Sequence, residues 1–188
     1  DDQGKGEGRK PFHAPILQHP CPAAAPLLYN AALGSFRNPS LSAEAPMTRS
    51  VAEKRAAFRA LHAKGCFMLP TPWDVGSARY LQSQGFQALA STSSGFAWSR
   101  GHADGGLSRE AVLAHLRELV AATDLPVNAD FESGFAADPQ GVAQSVRMAI
   151  DTGVAGLSIE DSTGDPAHPL FEIDIAVARM RAARPAID

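Results

Sequence analysis

Cysteine is scarce in this chain: only Cys21 and Cys66 occur, in dissimilar surroundings. That argues against a disulfide framework and fits a reducing, cytoplasmic setting. No apolar stretch approaches the roughly 18 residues that a membrane-spanning helix needs. Runs of basic residues are missing too, and the net charge is −3, so neither nucleic acid nor an anionic membrane is an expected partner. No G-x-G-x-x-G fingerprint or P-loop follows any apolar run, which weakens a nucleotide-binding reading. What is present, 45% hydrophobic residues among mixed charges over 188 positions, suffices for one sizeable core.

Seven of the 14 prolines (Pro11, Pro15, Pro20, Pro22, Pro26, Pro39 and Pro46) fall within residues 1–46, where no helical or alternating apolar pattern is sustained. This stretch is expected to be a Pro-rich, disordered tail. Met47 stands just ahead of "TRSVAEKRAAFRALHAKG", in which Val51, Phe58 and Leu61 keep helical spacing. It is the expected true start, with the preceding residues an upstream artefact. Asp1, Asp2 and Glu7 do not suit a transit peptide.

Beyond Met47, strand-like and helix-like segments alternate. The expected strands are "CFML" (66–69), "QALAST" (87–92), "LPVNAD" (125–130) and "AGLSIE" (155–160). Between and after them come a helix over about 75–84, one capped by Ser108 and carried by Val112, Leu113, Leu116 and Val120, one opened by Asp138 and Pro139, and one over about 174–183. Four strand–helix units predict an α/β fold with a parallel sheet covered by helices. A doubly wound sheet and a (β/α)8 TIM barrel both alternate in this way. A full barrel takes about 250 residues, whereas 142 run from Met47 to Asp188. If the fold is a barrel, residues 47–188 form its N-terminal half, about four β/α units.

In parallel α/β folds the chemistry lies beyond the carboxyl ends of the strands. Those ends carry Thr71, Trp73 and Asp74; Ser91 to Gly95, with Asp104 farther along; Asn128, Asp130 and Glu132; and Ser158, Glu160 and Asp161. The stretch "NADFESGF" (128–135) puts two carboxylates two residues apart. Like charges at roughly 4 Å and an effective dielectric of about 20 repel by about 4 kcal/mol. Protonation of one member relieves this, and so does a hard cation such as Mg2+, which suits all-oxygen donors. Zinc is disfavoured, because no His or Cys has ligand spacing. Taken singly, each acid is more often a solvated loop residue or a helix cap. Cys66 reads as strand core, His62 and His115 as surface or satisfied helix residues, and His102 and His168 as loop residues within reach of a site. Trp98 reads as packing or as a pocket wall.

These motifs resemble the isocitrate lyase/phosphoenolpyruvate mutase superfamily over most of residues 52–188. "LPTPWDVGSARYLQSQGFQALASTSSGFAWSRGHADGG" looks like its first two units, "NADFESGF" is similar to its D-x-D-x-G signature with Glu132 in place of the second Asp, and "GLSIED" matches its strand-four element. The resemblance implies a (β/α)8 barrel, usually in homotetramers that exchange a C-terminal helix. It also implies Mg2+, with Mn2+ as its substitute, and a small 2-oxo or 2-hydroxy carboxylic acid or a phosphonate relative. Asp130 is implied as a direct metal ligand, with Glu132 and Glu160 bound directly or through water. Asp104, Glu160 and Trp73 are implied at the reacting groups, and Ser93, Ser94, Gly95 and Asp74 at the substrate.

The family's isocitrate and methylisocitrate lyases take a proton donor from a K-K-C-G-H loop, but here that region reads "DSTGDPAHPLFE". Isocitrate cleavage is therefore not expected. What is expected is an Mg2+-dependent carbon–carbon lyase or decarboxylase working through a pyruvate-enolate-like intermediate, the alternative being a phosphonomutase. The rival of another class is a non-catalytic half-barrel that serves as an interaction module. Read as a fragment of a longer product, the isolated chain is expected to show little activity.

Overall fold

The computed structural model describes residues 49–187. The expected tail, 1–46, and Met47 lie outside the described residues. Helix α1 (Val51–Leu61) starts at a reciprocal cap: Ser50 Oγ accepts the Glu53 amide while Glu53 Oε2 accepts the Ser50 amide. There follow α2 (Val75–Ser83), β1 (Leu89–Ala90), α3 (Ser93–Ser99), α4 (Arg109–Ala122), β2 (Val127–Asp130), α5 (Pro139–Ile150), β3 (Gly156–Ser158) and α6 (Ile173–Ala183), which ends in a 3-10 turn over Arg184–Ala186. The predicted caps hold: Ser108 Oγ accepts the Ala111 amide at 3.2 Å, and Asp138 Oδ1 accepts the Gly141 amide at 2.9 Å.

The three strands form one parallel sheet in the order β1-β2-β3. Leu89 and Ala90 pair with Val127 and Asn128, while Asn128, Ala129 and Asp130 pair with Gly156, Leu157 and Ser158. One expected strand is corrected. Among the described residues, 66–69 join no ladder, and nearby the Ala90 amide donates to Pro70 O at 3.0 Å. Met68 there is 60% exposed. Cys66 is exposed rather than core, and its sulfur is in a disulfide, against expectation. An apolar run becomes a strand only where neighbours satisfy its amides and carbonyls, and no strand among the described residues pairs with 66–69. The fold is therefore α/β with three paired parallel strands among the described residues, where four were expected.

Side chains alternate across β2, so that Val127 and Ala129 are buried while Asn128 and Asp130 are half-buried on the opposite face. The buried face joins Leu89 and Phe131 under Val112, Leu113, Leu116, Leu119 and Val120 of α4. Each such buried side chain stabilises the fold by about 1.5–3 kcal/mol. A smaller cluster of Val142, Val146 and Ala183 joins α5 to α6. Gly156 permits the closest approach, since a Cβ there would lie 2.5 Å from Phe58 Cε1. No helix among the described residues is long and apolar enough to cross a membrane.

Lys54 ties α1 to the end of α4. Its Nζ is buried and donates to Val120 O at 3.0 Å and Thr123 O at 2.6 Å, serving carbonyls that a helix end leaves without partners. Burial pushes this amine below its ordinary range, with Asp124 opposing. Lys54→Met, which keeps the stem and strands both carbonyls, is expected to lower unfolding stability by about 1–3 kcal/mol, read as a lower urea midpoint at unchanged slope.

Candidate active site at the strand ends

β2 delivers Asp130 to the open end of the sheet, and the neighbouring strand end holds it there. Its amide donates to Ser91 Oγ at 2.8 Å. Its Oδ2 accepts both the amide and the hydroxyl of Ser93, each at 2.8 Å, and its Oδ1 accepts the Glu132 amide at 3.4 Å. Ser93, expected at a substrate carboxylate, is thus engaged with Asp130. Oδ1 is the more open oxygen.

Glu132 follows in a left-handed conformation, φ 46°, which is uncommon for a residue with a side chain. Its carbonyl accepts the Glu160 amide at 2.8 Å, joining the two acidic loops through their main chains. Glu132, Glu160 and Asp104 line one cavity of about 360 Å3, together with Ser93, Ser133 and Ser162. Burial is the main cause that pushes the Glu132 carboxyl up to about 7, with the charges of Asp130, Asp104 and Glu160 adding to it. Glu160 is raised for similar reasons: burial first, then Asp130, Asp104 and Asp161. Acids from three loops therefore share one electrostatic environment.

The donors are all oxygen, as a hard cation requires. Among the described residues, however, no three acidic, histidine or cysteine side chains converge as a cage for an ion. The arrangement suits Mg2+ held by one or two carboxylates and several waters, with the others acting through water.

The remaining expected site residues sit elsewhere. Trp73, Ser94 and Gly95 border a separate hollow of about 410 Å3 beside Trp98. The Asp74 carboxylate caps α2 by accepting the Ser77 amide at 2.6 Å, and this bond chiefly holds it below the usual carboxylate range. Trp73 and Asp74 also line a hollow of about 430 Å3 with Arg100 and His115. His115, read from sequence as surface or satisfied, is 5% exposed and stacked on Phe96 at 3.7 Å, and its Nε2 has no partner. Burial, reinforced by Arg100, pushes it down to about 4 against the opposing pull of Asp74, so it is neutral at pH 7. His168 is exposed beside Asp165, 3.3 Å away, and is not among the residues lining the acidic cavity. Sequence reasoning missed Ser133, Ser162, Thr163 and Gly164, whose only signal was their position after acidic strand ends.

Known proteins match most of the described residues. A family model described as phosphoenolpyruvate phosphomutase matches residues 58–188. A Burkholderia cenocepacia J2315 structure, described as a candidate lyase/mutase, is 47% identical with TM-score 0.71, covering 72% of this chain and 50% of that one. The structure of 2,3-dimethylmalate lyase, described as a PEP mutase/isocitrate lyase superfamily member, is 31% identical with TM-score 0.63, covering 75% of this chain and 50% of that one. The 2-methylisocitrate lyase of Escherichia coli strain K12 is 34% identical over 118 residues, 58% of this chain and 40% of that protein. The chain spans about half the length of the relatives it matches.

The raised Glu132 carboxyl sets a pH dependence. Its folded value of about 7 lies above the ordinary 4.5, so between these values the folded state holds a proton that the unfolded chain releases. Stability then falls as pH rises through that window. In divalent-free buffer, Glu132→Gln is expected to melt higher than wild type at pH 8 and to show a smaller difference at pH 4.5, measured by scanning calorimetry.

Proposed function

The chain belongs to the phosphoenolpyruvate phosphomutase family, within the PEP mutase/isocitrate lyase superfamily, and from that premise we propose that it supplies the acidic half of an Mg2+-dependent lyase site. The whole protein is then a (β/α)8 barrel that breaks a carbon–carbon bond, by cleavage or decarboxylation, in a small 2-oxo or 2-hydroxy acid. The observation that carries this reading is the cavity in which Asp104, Glu132 and Glu160 face one another beside Asp130.

When bound, Mg2+, or Mn2+ in its place, supplies Lewis-acid stabilisation of the negative charge that develops on the substrate oxygens as the bond breaks. The chain's own groups do the rest. Asp130 is fixed by Ser91 and Ser93, so its Oδ1 would hold a bound ion without reorganising. Glu132, near 7, is poised to hold or release a proton at neutral pH. Glu160 follows Glu132 through the main-chain bond that couples their loops. The residues after β3 contain neither Lys nor Cys between Asp161 and Glu172, which disfavours cleavages that need a thiol acid and favours decarboxylation or substituted-malate chemistry. The identities to 2-methylisocitrate lyase and 2,3-dimethylmalate lyase support a carbon–carbon lyase. The match to the phosphoenolpyruvate phosphomutase model keeps carbon–phosphorus chemistry as the second reading.

The test is calorimetric titration with Mg2+, with and without oxalate as a mimic of a pyruvate enolate. Oxalate binding is expected to require Mg2+ and to weaken by about 100-fold or more in Asp130→Ala, since even outer-shell changes cost about 10–100-fold. Binding that ignores Asp130 would remove the site from the strand ends.

A further inference from the structure

Arg179 on α6 is 1% exposed and forms no ion pair among the described residues. Its hydrogen bonds go to the main chain of one loop. Nη1 donates to Ala136 O and, at 2.9 Å, to Ala137 O, while Nη2 donates to Ser133 O. The guanidinium lies 3.9 Å from the centre of the Phe171 ring, which covers it by a cation–π contact. Burial lowers its basicity, with Asp138 opposing.

That loop is the continuation of Glu132. Three of its residues have positive φ: Glu132 at 46°, Gly134 at 76° and Phe135 at 55°. Two of them carry side chains, and such backbones persist only where their surroundings hold them. The Gly134 amide bonds Phe131 O at 2.8 Å and the Phe135 ring meets Phe131 edge-on at 5.1 Å, so local packing helps. The three carbonyls on the far side of the loop all turn to Arg179. A planar fork of five N–H donors can serve three carbonyls at fixed spacing, whereas a lysine ammonium on its flexible stem does not fix that geometry.

We infer that Arg179 is the positioning residue of the acidic cavity: it clamps Ser133, Ala136 and Ala137 so that Glu132 is presented to Asp130, Asp104 and Glu160. It acts through Glu132. The consequence for cation binding rests on the reading proposed above, while the clamping does not.

The test compares wild type, Arg179→Lys and Arg179→Met in the full chain by amide hydrogen exchange, urea denaturation and Mn2+ calorimetry. The Gly134 and Glu160 amides report directly, because they bond Phe131 O and Glu132 O. In Arg179→Lys both are expected to exchange about tenfold faster or more, with α4 and β2 amides at wild-type rates, and Mn2+ affinity is expected to fall about tenfold or more. Arg179→Met is expected to show larger changes in the same amides. If Arg179→Met does not fold, Arg179→Lys carries the test. Unchanged exchange at Gly134 and Glu160 would overturn the proposal. So would a lower urea midpoint with uniformly faster exchange and wild-type Mn2+ affinity, which marks a simple strut. If wild type binds no Mn2+, the metal reading fails, and the exchange comparison still decides the role of Arg179.

Discussion

The repulsion among carboxylates gathered at one end of a parallel sheet is the constraint on which the site depends. Asp130 and Glu132 arrive from β2, Glu160 from the end of β3, and Asp104 from the loop between α3 and α4. Water would screen such charges on an open surface, but in a shared cavity partial burial, with the neighbouring charges adding to it, raises Glu132 to about 7. Here they are kept together by neutral hydrogen-bond donors on one side and a clamped backbone on the other.

The scaffold divides this task. The Ser91 and Ser93 hydroxyls and the Ser93 amide satisfy Asp130 without cancelling its charge. The buried cations among the described residues, Lys54 and Arg179, face backbone carbonyls instead of the acids. Neither neutralises the cavity, so its negative potential persists. The packing of α4 on β1 and β2 supplies the rigidity that keeps these positions fixed.

Much of this was legible because local and tertiary signals agreed. "VNAD" alternates buried and half-buried residues as a strand with one covered face must, and Ser108 and Asp138 cap the helices they precede. The "CFML" segment misled because a short apolar run has no period by which to tell a ladder strand from extended chain outside the ladder. α3 was hidden within a serine-rich stretch, where Thr92 caps a seven-residue helix through the Gly95 amide and so turns Ser94 and Gly95 toward another hollow. Asp74 was legible as polar, but its spacing to Ser77 favours capping over substrate contact. His115 and Arg179 were illegible in their roles, since a polar residue on a helix reads as exposed until the partner across the fold is known.

The most direct measurement is an NMR titration of the Glu132 side-chain carboxyl, with and without Mg2+. The account predicts a midpoint near 7 in the free protein, a lower midpoint in Asp130→Ala, and a marked fall when Mg2+ neutralises the cavity. A midpoint at the ordinary carboxylate value, indifferent to both Asp130 and Mg2+, would show that these acids do not act as one site.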